Sequence, residues 1–521
     1  MDRRTFIDFL GKGALVVPAM PSVLTACNSG KSTHVDSSMF PSTADDVVLA
    51  DGLNYEVLIS RGDYINDKMT FGSHNDYNAF LPTGKNEGIL WVNHEYLTPL
   101  FLSGYDGKST ARHRKMILGE VQEIGGSILK IRKESGKWKV VFNDPINNRL
   151  TAASKIPFEW PELVEGYRSA TGTLSNCSGG ITPWGTILTA EENFSNFYGD
   201  YDYETGRRTP SKLNWERFFP KHLPQHYGWI VEVDVNTGGA KKHVSLGRME
   251  HECATVKELE DGRVVVYTGD DRNDGCLYKH ISEKPGQISP GKLYVANLEE
   301  GRWEWLDISR PELTKFNNQT ELMIRTREAA LLVGGTELDR PEDIEIDPLT
   351  GDVLVSLTNN KPKGNYHGSI MKILESGAYD TLEFTHSTFL TGGEETGFSC
   401  PDNMAFDAAG NLWFTCDISG SAIGKEPYTS FGNNGLFLVI RNGPQAGDVF
   451  QVGSAPNDAE FTGPFFAPDG ETLFLSVQHP GEKTKSLDTL TSNWPDGGTT
   501  LPKSSVIAVQ GDLIKRLQTL V

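Results

Sequence analysis

Short runs of apolar residues recur along the chain, and many of them are paired across a turn. Several stretches share one pattern: a short apolar strand, a turn with Gly and usually Asp, and a second apolar strand. The turns PLTGD, DAAGN and APDGE contain glycine, which adopts positive φ without steric cost. The pattern predicts five β-hairpins, within residues 178–193, 251–271, 341–360, 401–417 and 462–480.

Strand patterns dominate the rest of the chain, and helical periodicity is scarce. The segment ELMIRTREAALLVGG at 321–335 is a candidate helix, whereas WIVEVDVNTGGAKK and KLYVANLEEGRWEWL provide further extended pairs. Recurrent hairpins flanked by outer strands are typical of a β-propeller. We therefore predict an all-β fold, a single propeller over residues 49–521 with about six blades and few helices in insertions. A large β-sandwich is the structural alternative.

The N-terminal residues carry a different pattern. Arg3 and Arg4 precede an apolar stretch that is broken by two prolines, which resembles a twin-arginine export signal and is short for a membrane span. The stretch ends in LTAC, which resembles a bacterial lipobox with Cys27 as the lipidated residue. An ordinary signal peptide with a chance cysteine is the alternative. We predict a signal peptide at 1–26, a flexible tether at 27–48, and an exported periplasmic or cell-surface lipoprotein held to the membrane only through Cys27.

Charge and cysteine content narrow the possible functions. The 521 residues carry a formal net charge of −20, which gives no basic surface for nucleic acid. Five cysteines follow Cys27, so at least one is unpaired within the chain. Proteins that use the twin-arginine route are exported folded, often with a metal already bound. A cysteine that ligates a metal is therefore consistent with the predicted export.

Polar residues are concentrated where the predicted hairpins open. In a propeller blade the first two strands lie nearest the axis, so these open ends should share one axial face. Crowded carboxylates repel one another, and cations relieve that repulsion; oxygen ligands suit calcium, whereas a thiolate and histidines suit a transition metal. Each residue taken singly also fits a turn or a packed core, but the repetition favours a metal site. The residues are Cys177, Glu191, Glu192, His251, Glu252, Asp270, Asp271, Glu342, Asp343, Asn359, Asp402, Asn403, Asp417 and His479.

The chain resembles the PhoX-type alkaline phosphatases, which are exported bacterial phosphomonoesterases. The resemblance implies a six-bladed propeller with two ferric ions and calcium ions on its axis. It covers most of the chain after the signal, in order, and departs from the family at Ala190, Cys276 and Cys400. The motifs are FGSHNDYNAFLP, WVNHEYLTP, NCSGGITPWGTILTAEEN, GRMEHE, RPEDIEIDPLTGD and EFTGPFFAPDGETLFLSVQHPGE.

The resemblance also implies roles for particular residues. Cys177 would bind iron as a thiolate rather than act as a nucleophile, and Arg340 would bind phosphate. The same motifs imply that Glu192, Glu252 and Glu342 are metal ligands. Together with the residues at the open ends, the predicted metal ligands are Cys177, Glu191, Glu192, Glu252, Asp271, Glu342, Asp343 and Asp402, with Arg340 as the catalytic residue and His479 as a further substrate-binding residue.

These assignments predict a monomeric hydrolase that releases inorganic phosphate from small-molecule phosphate monoesters. Several cations can polarise the phosphoryl oxygens and generate a nucleophile, and the planar fork of Arg340 can hold two phosphate oxygens. The chain contains no Walker A loop, HExxH or G-x-S-x-G motif. Two other functions stay open: a calcium-dependent lactonase-type propeller, and a non-catalytic lipoprotein whose propeller is a binding platform.

Overall fold

Six sheets, antiparallel except for one parallel strand pair, form a ring, and each predicted hairpin supplies the two strands of one sheet that lie nearest the axis. The computed structural model describes residues 39–108 and 112–518. The ring is a six-bladed β-propeller, as predicted, and its blades are numbered here by the chain order of their innermost strands. The second strand of a blade is buried on both faces and has a mostly apolar sequence, such as VVVYTG at Val264–Gly269 or VLVSL at Val353–Leu357.

Blades 1 to 3 are formed by the N-terminal half of the ring. Their strands are given from the axis outwards. Blade 1 contains Asn75–Gly84, Glu87–His94, Gly125–Glu134 and Lys137–Val140, with Asn148–Thr151 also paired to the third strand. Blade 2 contains Asn176–Ile181, Ile187–Glu191, Ile230–Asp234, Gly239–His243, Lys155–Glu159 and Ser169–Thr171. Blade 3 contains Thr255–Glu258, Val264–Gly269, Leu277–Ser282, Gly291–Asn297 and Arg302–Trp305.

Blades 4 to 6 complete the ring, and the last two also use strands from before blade 1. Two strand pairs lie outside the blades: Asp200–Asp202 with Arg207–Thr209, and Asn273–Gly275 with Leu338–Asp339. Blade 4 contains Pro341–Ile346, Val353–Leu357, Ser369–Glu375 and Phe384–Thr391. Blade 5 contains Pro401–Phe406, Leu412–Cys416, Gly435–Val439, Val449–Ser454 and Val48–Leu49. Blade 6 contains Glu460–Phe466, Thr472–Gln478, Ser505–Gln510 and Asn54–Ser60.

The ring is closed by its chain ends. The outermost strand of blade 6, Asn54–Ser60, pairs with the strand Ser505–Gln510 from the far end of the chain. The hydrogen bonds between these strands join the ends of the sequence, so opening the ring requires breaking a complete strand pair. The described part of the predicted tether is also ordered, because the amide of Met39 donates to the carbonyl of Gln451 and the amide of Asn433 donates to the carbonyl of Ser42.

Helices are short and lie in insertions, as predicted. The candidate helix at 321–335 is two helices, because the backbone departs from helical geometry at Arg325, where ψ is 36°. No helix in the described ranges is long and apolar enough to cross a membrane. The helices are Pro99–Ser103, Arg114–Glu120, Ser195–Tyr198, Gln319–Ile324, Thr326–Leu332 and Asp512–Leu517, with 3-10 turns at Trp215–Arg217, Pro224–His226, Val244–Leu246, Pro311–Leu313 and Lys361–Lys363.

The hydrophobic core is divided among the interfaces between neighbouring blades. A separate apolar cluster, the satellite cluster, is formed by the segments that follow the inner hairpins of blades 1 and 2. The insertion between the second and third strands of blade 2 folds onto it and is thereby fixed near the open ends of those hairpins. Its buried members include Leu97, Ile117, Phe197, Leu213 and Trp215.

Candidate active site

The innermost strands share an irregularity where their hairpins open. In blade 2 the pairing register shifts between Asn176 and Gly179, so Cys177 and Ser178 lie in a bulge. Such bulges re-aim side chains. A similar shift occurs in blades 1, 4 and 5, and in blade 3 pairing is interrupted between His251 and Thr255. The residue that begins the irregular stretch lines one axial cavity in five blades, as Asp76, Cys177, Glu252, Glu342 and Asp402, and the paired residue Thr462 lines it in blade 6.

A second set of side chains comes from the end of the second strand of the inner hairpins. Asn176 pairs with Glu191, and the next residue, Glu192, lines the cavity. In blade 4 this position is Thr358, whose hydroxyl instead donates to the carbonyl of Pro401. The same position contributes Glu95 in blade 1 and Asp417 in blade 5, whereas the cavity residue is Asp271, two beyond the strand, in blade 3 and Gln478, the last strand residue, in blade 6.

The backbone at the start of the innermost strands is strained in four blades. The residue before the strand has positive φ: 40° at His74, 52° at Ser175, 56° at Arg340 and 54° at Cys400. Such values are uncommon outside glycine, cost about 1–3 kcal/mol each, and cluster at functional sites. At His74 and Arg340 this conformation places a side chain on the cavity wall.

These elements enclose a cavity of about 380 Å³ whose wall is strongly acidic. An anionic phosphate ester would be repelled by such a wall unless cations were bound there. The cationic side chains on the wall include Arg340 and Lys212. Ten carboxylates line it: Asp76, Glu95, Glu192, Glu252, Asp271, Glu342, Asp402, Asp417, Glu460 and Glu482.

The donor atoms around Cys177 fit metal binding. Its Sγ lies 3.0 Å from Glu252 Oε1 and 3.3 Å from Asp76 Oδ2. Two groups of potential ligands share this sulfur, Cys177 with Glu192 and Glu252, and Cys177 with Asp76 and Glu95; within each group the ligand atoms lie within 4.8 Å of one another. Asp76 Oδ1 is buried without a hydrogen-bond partner, which is costly for a polar atom that no cation contacts.

Burial and mutual repulsion explain the electrostatics of these groups. Burial raises the pKa of Glu192 well above its usual value, and Glu95 and Glu252 raise it further. The pKa of the Cys177 thiol is also raised, first by burial and then by Asp76 and Glu252. Bound cations would favour the ionised forms of all these groups. The cavity can therefore hold its charges at neutral pH when metal ions share it.

Arg340 is held by carboxylates on two sides. Its Nε and Nη2 donate to Asp271 at 2.9 and 2.7 Å, and Nη2 is also 2.7 Å from Glu342 Oε1. Its Nη1 lies 3.6 Å from Asp417 Oδ2 and is the least engaged part of the fork. Although burial alone would lower the pKa of Arg340, Asp271 and Glu342 raise it well above its ordinary value. The guanidinium stays charged and is positioned on the cavity wall.

His479 also lines the cavity, and its imidazole is positively charged. Its Nδ1 donates to the carbonyl of Asp458 at 2.9 Å, and its Nε2 lies 3.1 Å from Glu460 Oε1. Burial alone would lower the pKa of His479, but Glu460 and Glu482 raise it well above 6.5. Its ring centroid is 5.7 Å from that of His74. His479 thus adds a positive charge to the cavity wall.

Two of the predicted ligands lie away from this cavity. The carboxylate of Glu191 is buried against Lys242, whose Nζ is 2.6 and 2.8 Å from its two oxygens. Asp343 is the second bulge residue of blade 4 and faces a different cavity, nearer the hairpin turns. There it accepts a hydrogen bond from the amide of Met404 at 2.7 Å, and burial raises its pKa to about 7. The structure therefore does not group these two carboxylates with Cys177.

The other predicted site residues do come together. Cys27 lies outside the described residues. Apart from Cys177, the cysteines of the described ranges are free and buried, and none of them lines the cavity. Those brought to the cavity are Cys177, Glu192, Glu252, Asp271, Arg340, Glu342, Asp402 and His479.

A family model described as alkaline phosphatase PhoX matches residues 36–481. The chain belongs to the PhoX alkaline phosphatase family. The resemblance seen in the sequence is thereby confirmed, and the enzyme class is that of a phosphoric monoester hydrolase. The family is metal-dependent, which agrees with the ligand groups around Cys177.

One solved structure agrees with this membership. PhoX of Pseudomonas fluorescens, in complex with vanadate, a transition state analogue, is 26% identical and has a TM-score of 0.81; the match covers 92% of this chain and 98% of that one. A putative 6-phosphogluconolactonase from Bacteroides uniformis is 10% identical, with a TM-score of 0.31 and coverage of 76% and 92%. No curated protein sequence matches the chain.

Several cavity residues were not among the predicted site residues. Asp76 and Glu95 belong to blade 1, whose hairpin was not recognised among the repeats, although both stand in motifs shared with the family. Glu460 and Lys212 were also missed. Aligning the start of each innermost strand would have found Asp76, because it is the second residue of its strand, as Cys177 is.

Proposed function

We propose that this phosphatase is metal-dependent and hydrolyses phosphate monoesters at the axial cavity. Its metals are iron, as the two ferric ions that the family resemblance implies, and calcium. The observation that carries the proposal is the pair of ligand groups that share Cys177 and lie beside Arg340. Cys177 provides the only thiolate ligand among the cavity residues, and a thiolate favours a transition metal over calcium.

The carboxylates divide between two kinds of site. Glu192 and Glu252 would complete the iron site with Cys177, whereas Asp76 and Glu95 would extend it from blade 1. Oxygen ligands farther from the sulfur, such as Asp402, suit the harder calcium ion. Metal ions bound there would supply Lewis acidity toward the phosphoryl oxygens and a water-derived nucleophile near neutral pH.

The protein's own side chains orient the substrate. The weakly engaged Nη1 of Arg340 is placed to bind a phosphoryl oxygen and to follow its charge as the bond to the leaving group breaks. His479, held by Asp458 and Glu460, presents a second positive charge on the cavity wall. Both groups are fixed before substrate binds, which favours the transition state over the free ester.

Substrate and metal assays on one purified sample test this proposal. We expect turnover of an aryl phosphate, no turnover of a panel of lactones, and iron and calcium in the protein. Treatment with a chelator should abolish turnover, and iron with calcium should restore it. Turnover that survives complete metal removal would contradict the proposal, as would lactone hydrolysis without phosphatase activity.

The proposal includes export and lipidation, both of which rest on residues outside the described ranges. Arg3 and Arg4 before an apolar stretch, and Cys27 at the end of LTAC, support it. Replacing both arginines by lysine should leave precursor in the cytoplasm, and Cys27→Ser should release the mature protein from the membrane fraction. Unchanged fractionation of both variants would refute this part.

A further inference from the structure

One wall of the axial cavity is built outside the blades. Tyr96 follows the inner hairpin of blade 1, whereas Asn196 and Lys212 belong to the insertion after the inner hairpin of blade 2. All three side chains line the cavity and are called here the donor wall. The proposed ligands around Cys177 are deeply buried, but Lys212 is exposed, so the donor wall lies at the outer part of the cavity.

The satellite cluster fixes the backbone of the donor wall. Phe197 and Leu213, the neighbours of Asn196 and Lys212, are buried in that cluster. The amide of Leu213 donates to the carbonyl of Asn196 at 2.9 Å, which ties the two segments together. The ring of Tyr96 packs edge-on against Phe197 with centroids 5.5 Å apart. The polar ends of the wall therefore project from a rigid base.

Those polar ends have no partners within the described part of the protein. The Tyr96 hydroxyl, the Asn196 amide and the Lys212 ammonium form no side-chain hydrogen bond or ion pair with another described residue, whereas Arg340 is bound by carboxylates. All three groups can donate hydrogen bonds, and one carries a positive charge. A group with several acceptor oxygens and a negative charge complements such a wall.

The segments that follow the inner hairpins of blades 5 and 6 have the reverse character. Glu482 lines the cavity there with Ser419 and Gly420, so an anionic substituent would be repelled from these segments and attracted towards Lys212. Arg340 and the proposed metal ligands lie deeper and are suited to the phosphoryl group. The charge distribution thus separates a site for the transferred phosphoryl group from a site for the leaving group.

We propose that the donor wall binds a second anionic group on the leaving group, so that favoured substrates are phosphate monoesters whose alcohol carries a carboxylate or another phosphate. This inference rests on the proposed phosphatase function and adds Lys212 as a residue that determines specificity. Lys212 acts on substrate binding and not on the chemical step, so its loss should raise KM far more than it lowers kcat.

Two substrates that differ by one charge test the proposal. Glycerol 3-phosphate and 3-phosphoglycerate have similar size, but only the second carries a carboxylate. We expect the wild-type enzyme to prefer 3-phosphoglycerate, and Lys212→Gln to lower kcat/KM for it by about 5- to 20-fold, mainly through KM, in the range for loss of a charged hydrogen bond at a partly open site. In the same variant, kcat/KM for glycerol 3-phosphate should change by less than about twofold, the size of a weak surface effect.

Two further variants provide controls. Lys212→Arg keeps the charge and should restore most of the preference. Lys221→Gln removes an exposed lysine from the same insertion that does not line the cavity, and it should behave as wild type. The wild-type preference should also shrink as salt is raised, because the contact is exposed.

The possible outcomes separate this inference from the proposed function. If Lys212→Gln lowers kcat/KM equally for both substrates and weakens inhibition by inorganic phosphate, Lys212 binds the transferred phosphoryl group. That result would overturn the proposal. Wild-type turnover of both substrates without preference would overturn it as well, yet leave the phosphatase function standing. Turnover of neither these substrates nor an aryl phosphate would refute the function itself.

Discussion

Replacing Arg340 by methionine removes a charged fork from the cavity without removing a proposed metal ligand. Methionine keeps much of the length and apolar volume of the side chain, and it replaces a residue with φ of 56° by another non-glycine residue, so backbone strain changes little. The perturbation is therefore confined to the lost charge and its hydrogen bonds. Phosphatase activity should fall while the metal content stays at the wild-type level.

The size of the loss follows from the contacts of Arg340. Nη1 is 3.6 Å from Asp417, whereas Nη2 is 2.7 Å from both Asp271 and Glu342, so Nη1 is the atom free to contact a phosphoryl oxygen. Removing one positioned donor from a site of developing charge costs about 2–4 kcal/mol in transition-state stabilisation. We expect kcat/KM to fall by that free energy, which corresponds to about 30- to 1,000-fold.

Arg327 offers a matched control. It also binds an aspartate with two nitrogens, here Asp270, and its side chain is 24% exposed, the same fraction as that of Arg340. It does not line the cavity. Each substitution breaks a comparable ion pair, so Arg327→Met and Arg340→Met should lower the free energy of unfolding by similar amounts. Because solvent reaches both arginines, we expect a loss below the about 3–5 kcal/mol of a fully buried pair.

The assay measures kcat/KM for an aryl phosphate, the inhibition constant of vanadate and the metal content of both variants. Weaker vanadate inhibition should accompany the loss of kcat/KM in Arg340→Met, because an analogue of the transition state loses the same contact. Near-normal turnover in Arg340→Met with full metal content would refute the assigned role. An equal loss of activity in Arg327→Met would show that the effect is structural.

Two further predictions concern stability. Lys242→Met should lower the free energy of unfolding by about 3–5 kcal/mol, measured by urea denaturation, because it leaves the buried carboxylate of Glu191 without its cation; a change below about 1 kcal/mol would contradict this. Burial raises the folded-state pKa of Glu460 to about 8, so the folded protein holds this proton more tightly than the unfolded chain, in which the pKa is about 4.3. Glu460 therefore makes its full contribution to stability below about pH 4.3, and this contribution is lost as pH rises through 8. Chelator-treated protein should therefore lose stability between about pH 4 and 8, and added metals should reduce the loss; a flat profile would refute the argument.

The repeat of strand and turn residues was sufficient to predict the propeller. Glycine-containing turns between apolar runs are local signals, and five inner hairpins appear where the pattern indicated them. The inner hairpin of blade 1 was not recognised, and its first strand contains Pro82 near the turn. Proline lacks an amide donor and weakens the strand pattern, although here it lies beyond the most regular pairing.

The site was only partly predictable because its side chains depend on bulges. Adjacent residues of a regular strand point to opposite faces, so a hairpin alone cannot decide between Glu191 and Glu192. The register shift after Asn176 brings Cys177 to the cavity, and no turn or apolar run in the sequence marks it. Lys212 was unpredictable for another reason: its position depends on tertiary packing of the insertion against the satellite cluster.

The central claim is that Cys177 anchors a catalytic iron centre, and iron content measured with visible absorbance tests it most directly. Cys253 provides the control, because it is also a buried free thiol, lies one residue after Glu252, and does not line the cavity. Purified wild-type protein and Cys253→Ala should contain iron, absorb visible light and hydrolyse phosphate esters, whereas Cys177→Ala should lose all three properties together. A colourless, iron-free wild-type enzyme that still hydrolyses phosphate esters, or a Cys177→Ala variant that retains iron and activity, would contradict the account.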